Sequence, residues 1–120
     1  MLKNLLENDI MKYDIFDIGG EIVKDNETYL LKDNNLLNNL TVSSTTLHPT
    51  KSTRGHTHGG QEEVYYFIKG EGQMELDGDV FDVFPGLMVL IQDGVYHRVY
   101  NNSETEELYF VCVFDKKRNH

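Results

Sequence analysis

The sequence predicts an all-β sandwich or barrel. Short runs of β-branched and aromatic residues succeed one another along most of the chain, and turn signals part them every eight to twelve residues or so, the spacing of antiparallel sheets rather than of βαβ units. The second observation is a hairpin signal, Asp77-Gly78, set between residues 73–76 and 79–83.

Taken in order, residues 1–12 carry Met1, Leu2, Leu5, Leu6 and Ile10 as a partial helical stripe, readable as a short helical turn or a loose arm. Residues 13–18, 21–23 and 29–32 are short strand candidates, with turn signals at Asn34-Asn35 and Asn38-Asn39. Residues 1–40 are therefore expected to form an arm and short strands that pack on a barrel spanning 41–114. Within the barrel, 41–47 is rich in β-branched residues and 49–55 is a loop. Residues 62–68 form a strong strand that ends at Lys69-Gly70-Glu71-Gly72. The 73–83 hairpin follows, then a turn at Pro85-Gly86, a strand at 87–91, a turn at Gln92-Asp93-Gly94 and a strand at 96–100. A loop at 101–104 leads to the last long strand, 107–114, and 115–120 is a polar tail.

A chain of 120 residues makes one domain with a core of useful size. Its hydrophobic share of 39% and charged share of 26% are those of a globular protein. A net charge of −9 argues against nucleic acid and anionic membrane surfaces as partners. A local site can still be cationic, and Lys51, Arg54 and Arg98 stand near the candidate site. Cys112 is the sole cysteine, so no intramolecular disulfide and no cysteine-based metal site exists; lying in an apolar run, it reads as a buried structural thiol. Polar residues interrupt the N-terminus as a signal peptide, and no run approaches a membrane span, so a cytoplasmic location is expected.

The chemistry concentrates in Gly55-His56-Thr57-His58-Gly59-Gly60-Gln61-Glu62-Glu63 and in Gly94-Val95-Tyr96-His97. Imidazole nitrogens and a carboxylate suit Zn, Fe, Mn or Ni. His56 and His58, two apart, share a face if the segment is extended. His48 and His120 lack such a setting and read as surface residues.

These residues resemble the two motifs of the cupin superfamily. His56, His58, Glu63 and Gly70 fall at the positions of the first, with Thr50 where the motif has its leading Gly; Gly86, Gly94, His97 and Asn101 fall at those of the second, with Gln92 where it has Pro. The resemblance covers about residues 41–114 and implies a single-domain jelly-roll β-barrel. It also implies one divalent transition metal ion held by His56, His58, Glu63 and His97. Period-two alternation then puts Glu63, Tyr65 and Phe67 inside with Glu62 outside, and His97 and Val99 inside with Tyr96, Arg98 and Tyr100 outside. Glu62 is the alternative ligand by spacing from His58, but its distance to Gly70 is one residue too long.

The stretch Thr53-Arg54-Gly55-His56-Thr57-His58 with Glu63-Val64-Tyr65-Tyr66 looks most like the cupin-type phosphoglucose isomerases and small sugar-isomerase-like cupins. That likeness implies an aldose–ketose isomerase of a carbohydrate substrate. Glu63 or Tyr65 would assist proton movement, Phe67 would line the substrate cavity, and Arg54 would meet a phosphate or carboxylate at its mouth. The same ligand shell also suits a non-haem Fe(II) dioxygenase or a non-catalytic binding or sensor module. Outward Val64, Tyr66 and Tyr100 make a homodimer the expected assembly.

Overall fold

A computed structural model describes residues 11–57 and 59–116 of the chain. Among the described residues nine strands form in order: β1 (Glu21–Asp25), β2 (Tyr29–Asn34), β3 (Leu40–Leu47), β4 (Glu63–Lys69), β5 (Gly72–Leu76), β6 (Asp79–Val83), β7 (Met88–Ile91), β8 (His97–Tyr100) and β9 (Leu108–Asp115). They pair antiparallel throughout, as a six-stranded sheet ordered β1-β2-β3-β9-β4-β7 and a three-stranded sheet ordered β6-β5-β8. This is the all-β jelly roll that the motifs implied. Among the described residues no helix is long and apolar enough to cross a membrane.

Local chemistry explains most boundaries. Asp77 and Gly78 both take positive φ, 48° and 92°, and Leu76 pairs with Asp79, so this two-residue turn carries the twist a hairpin needs. Residues 13–18 depart from expectation. They form a tight turn with one isolated bridge, Asp14 to Asp17, instead of a strand. The carboxylates cause this: Asp14 Oδ1 accepts from Phe16 N–H at 2.8 Å and Asp17 Oδ1 from Gly19 N–H at 3.1 Å, so these amides bond locally and are lost to a ladder. The turn lies on the outer face of the large sheet, where Phe16 stacks on Tyr109 with centroids 5.8 Å apart. The stripe expected over residues 1–12 lies almost wholly outside the described residues.

The ladders also set what lines the interior. Cross-strand partners Ser43–Cys112 and Cys112–Tyr65, then Thr45–Phe110 and Phe110–Phe67, then Leu47–Leu108, share the inner face of the large sheet. Read along the strands, one end of the barrel carries Ser43, Thr45, Glu63 and Cys112. The other carries Leu47, Phe67 and Leu108, closed against Met74, Val83 and Val99 of the smaller sheet. The apolar end is the packed core, and the polar end stays open.

Asn101, just past β8, ties the closed end together. Its Nδ2 donates to the carbonyls of Leu47, His48 and Glu106 at 3.0, 3.2 and 2.8 Å. One buried amide thus joins the end of β3 to the approach to β9.

Candidate metal centre

The open end holds a cluster of ligating groups. His97 begins β8, and residues 51–56 run antiparallel along the outer edge of that strand. Asn101 N–H donates to Lys51 O at 2.8 Å and Thr53 N–H to Val99 O at 2.9 Å; His56 and His97 exchange both backbone bonds, at 3.2 and 3.1 Å. Two stretches distant in the chain thereby place their imidazoles side by side, ring centroids 4.5 Å apart. A Cβ at Gly55 would overlap the Tyr96 hydroxyl and ring, so a larger residue there would displace that side chain. Arg98, turned away from the cavity, holds the same loop: Nε donates to Thr53 O at 2.8 Å and Nη2 to Ser52 Oγ at 3.0 Å.

Backbone carbonyls fix both imidazoles. His56 Nδ1 lies 3.2 Å from Arg54 O, and His97 Nδ1 lies 3.1 Å from Val95 O. A carbonyl only accepts, so each Nδ1 carries a hydrogen, and in the neutral imidazole Nε2 is the nitrogen that can coordinate.

Glu63 comes from the opposite sheet. Its Oε2 stands 3.3 Å from His97 Nε2, and the ligating atoms of His56, Glu63 and His97 all lie within 4.8 Å of one another. Burial alternates along β4 as expected: Glu62 is exposed, while Glu63 is 7% accessible and His97 2%. Burial pulls His97 down in pKa, but the hydrogen bonds to Glu63 and to the Val95 carbonyl, with the charge of Glu63, outweigh it, and the net shift is upward from 6.5. A carboxylate and an imidazole buried this deeply need a cation between them, whether a proton or a metal ion. Two imidazole nitrogens and a carboxylate oxygen make a donor set that fits a divalent transition ion. His58, the fourth expected ligand, lies outside the described residues.

The other expected site residues separate. Arg54 lines the cavity mouth and Tyr65 its inner wall. The Tyr65 ring stacks on Phe110 at 5.4 Å and meets His97 edge-on at 5.8 Å. Burial, then neighbouring Cys112 and Glu63, push its hydroxyl well above its usual pKa, so Tyr65 keeps its proton. Phe67 does not reach the cavity. It is 1% accessible and packs beneath Tyr65 against Phe110, because it sits two residues further toward the closed end. Cys112 is a buried thiol, as expected from its apolar run, and burial followed by the charge of Glu63 holds its pKa well above 9.0.

The cavity volume is about 340 Å³. Several wall residues had escaped the sequence reading: Ser43 and Thr45 from β3, Gln61 before β4, and Lys24, Tyr29 and Asp33 from the first two strands. Alternation along 41–47 does separate Ser43 and Thr45 from Val42 and Ser44, but nothing local says which set faces a cavity. A shallower depression of about 590 Å³ around Gln73, Asp82 and Asn102 lies apart from the ligating cluster.

Comparison with known proteins agrees with this architecture. The family model described as "Cupin domain" matches residues 43–114. An uncharacterized protein of Methanocaldococcus jannaschii is 30% identical over 59 residues, which are 49% of this chain and 47% of that protein, so the match spans about half the length of each. Among solved structures, the polyketide cyclase RemF from Streptomyces resistomycificus superposes with a TM-score of 0.75 at 19% identity, over 92% of this chain and 82% of that one. KdgF from a Halomonas species gives 0.71 at 14%, over 82% and 88%. A predicted oxalate decarboxylase from Thermotoga maritima gives 0.65 at 23%, over 72% and 79%. At such identities the likeness concerns the fold.

Proposed function

This chain belongs to the cupin domain family, and from that premise we propose that it is a metal-dependent small cupin acting on a sugar or sugar phosphate as an aldose–ketose isomerase. The observation that carries the reading is the convergence of His56, Glu63 and His97 at the polar end of the barrel, in a cavity with Arg54 at its mouth. The likeness in fold does not choose a chemistry, since structures of this shape carry names as different as a cyclase and a predicted decarboxylase.

His56, Glu63 and His97 would hold the ion, joined by His58 if it ligates. A divalent transition ion there supplies Lewis acidity, polarising a carbonyl and acidifying the adjacent C–H. The remaining work falls to the chain. Nδ1–H bonds to Arg54 O and Val95 O keep the two imidazoles aimed inward. Glu63, with a second carboxylate oxygen, takes the proton that must move between the two substrate carbons. Tyr65, held protonated, donates a hydrogen bond and does not act as base. Phe110 and Phe114 among the lining residues, with the apolar end behind them, keep the inner wall dry.

The test is metal analysis of the purified protein joined to a turnover assay with a panel of aldose phosphates. Expected are one transition ion per chain and ketose formation, both lost after EDTA treatment and in His97→Ala. No turnover across the panel sinks the isomerase reading. Oxygen uptake dependent on Fe(II) would replace it with a dioxygenase, and a ligand bound but left unchanged with a binding module.

A further inference from the structure

Lys24 reaches the cavity through a local irregularity of β1. Ile22 pairs with Lys32 and Lys24 with Leu31, so two residues of β1 advance against one of β2, with Val23 the extra residue. Lys32 and Leu31 are neighbours on a regular strand and face opposite ways: Lys32 turns outward to Asp17 at 2.8 Å, and Leu31 lines the cavity. Ile22 and Lys24, two apart, would share a face on a regular strand. The bulge puts them on opposite faces and turns Lys24, which stays exposed, toward the cavity, and bulges that re-aim a side chain recur beside functional sites.

Lys24 and Arg54 line this one cavity, arriving from an edge strand and from the loop before His56. The chain carries 11 Lys and Arg against 20 Asp and Glu, whereas this cavity sets two cations against two carboxylates, Asp33 and Glu63. The same cavity is lined by polar groups suited to hydroxyls, namely the Asp33 carboxylate and the Ser43 and Thr45 side chains.

We infer that the cavity takes an anionic polyol whose charged group, phosphate or carboxylate, sits between Lys24 and Arg54 while Asp33, Ser43 and Thr45 engage its hydroxyls. The first two strands are then a specificity element and not just an extension of the sheet. The inference rests on the reading of this cavity as the substrate site.

The test is calorimetric titration of metal-replete protein with fructose 6-phosphate, with gluconate and with neutral fructose, for the wild type, Lys24→Met and Lys24→Arg. Metal content serves as the control and is expected to be equal in all three proteins. At least one anionic polyol binds more tightly than fructose, and the tighter of the two identifies phosphate or carboxylate as the preferred group. Lys24→Met weakens that anion about fivefold, the effect of one partly exposed charged contact. It leaves fructose unchanged, and Lys24→Arg restores the affinity. Fructose 6-phosphate bound but not converted counts against isomerisation and supports this inference. Lys24→Met titrating like wild type with both anions, or a wild type that binds neither more tightly than fructose, overturns it.

Discussion

Thr50 stands where the first motif has a glycine, and its backbone shows why glycine is the rule there. Its φ is +70°, in the left-handed region that costs an L-residue about 1–2 kcal/mol. Thr50 is exposed and its N–H donates to Ser103 O at 2.9 Å, so the strain sits in a pinned turn. Thr50→Gly should relieve the strain against a glycine entropy cost of about 0.5–1 kcal/mol. The net gain is about 0.5–1 kcal/mol, or about 2–4 °C in thermal melting. Thr50→Ala, still an L-residue, should gain little. A Thr50→Gly protein that melts at or below the wild type would refute this account. The motif position was legible in the sequence; that the departure stores strain was not, because φ is set by the loop closing on Ser103.

At the scale of elements, Asn101 ties the end of β3 to the approach to β9. Its side chain serves three carbonyls from two segments, Leu47 and His48 at the end of β3 and Glu106 before β9, in bonds that are buried or partly buried. Asn101→Ala leaves them without the amide, and a loss of about 2–3 kcal/mol is expected in denaturant unfolding. Asn101→Asp should fare no better, because a carboxylate cannot donate. A loss under about 0.5 kcal/mol would show that water replaces the amide at no cost. The strands themselves were largely readable, since alternation within 62–68 and 96–100 survives in burial: Glu63, Tyr65 and Phe67 lie inside and Glu62 and Tyr66 outside. Residues 13–18 show the limit of such reading. Their apolar and aromatic residues promised a strand, and two aspartate side chains captured the amides a ladder would need.

At the scale of the whole molecule, one outer face remains apolar. Met88 and Leu90 on the edge strand β7 are 52% and 63% accessible, and they pair with Tyr66 and Val64 on β4. A contiguous patch on a sheet face beside an open edge is the kind of surface that self-association covers. We propose that the protein is a homodimer joined through this face. Light scattering should give twice the chain mass, and Leu90→Glu should halve it while leaving the circular dichroism and metal content unchanged. A monomer for the unmodified protein, or a dimer indifferent to Leu90→Glu, would remove this face from consideration.

Residues and their spacing were enough to pick out His56, Glu63 and His97 as candidate ligands, the parity of 62–68 and 96–100 and the fold class, because a period of two is local and needs no knowledge of partners. Three matters depended on tertiary structure. His56 and His97 meet on one sheet edge while Glu63 reaches them from the opposite sheet. Phe67 belongs to the closed core, since only the ladder to Phe110 says which end of β4 is sealed. Lys24 faces the cavity because one extra residue against β2 reverses the alternation. Each is a question of which strand lies beside or across from which, and at what register. Those pairings join residues far apart in the chain, so no window of sequence contains them.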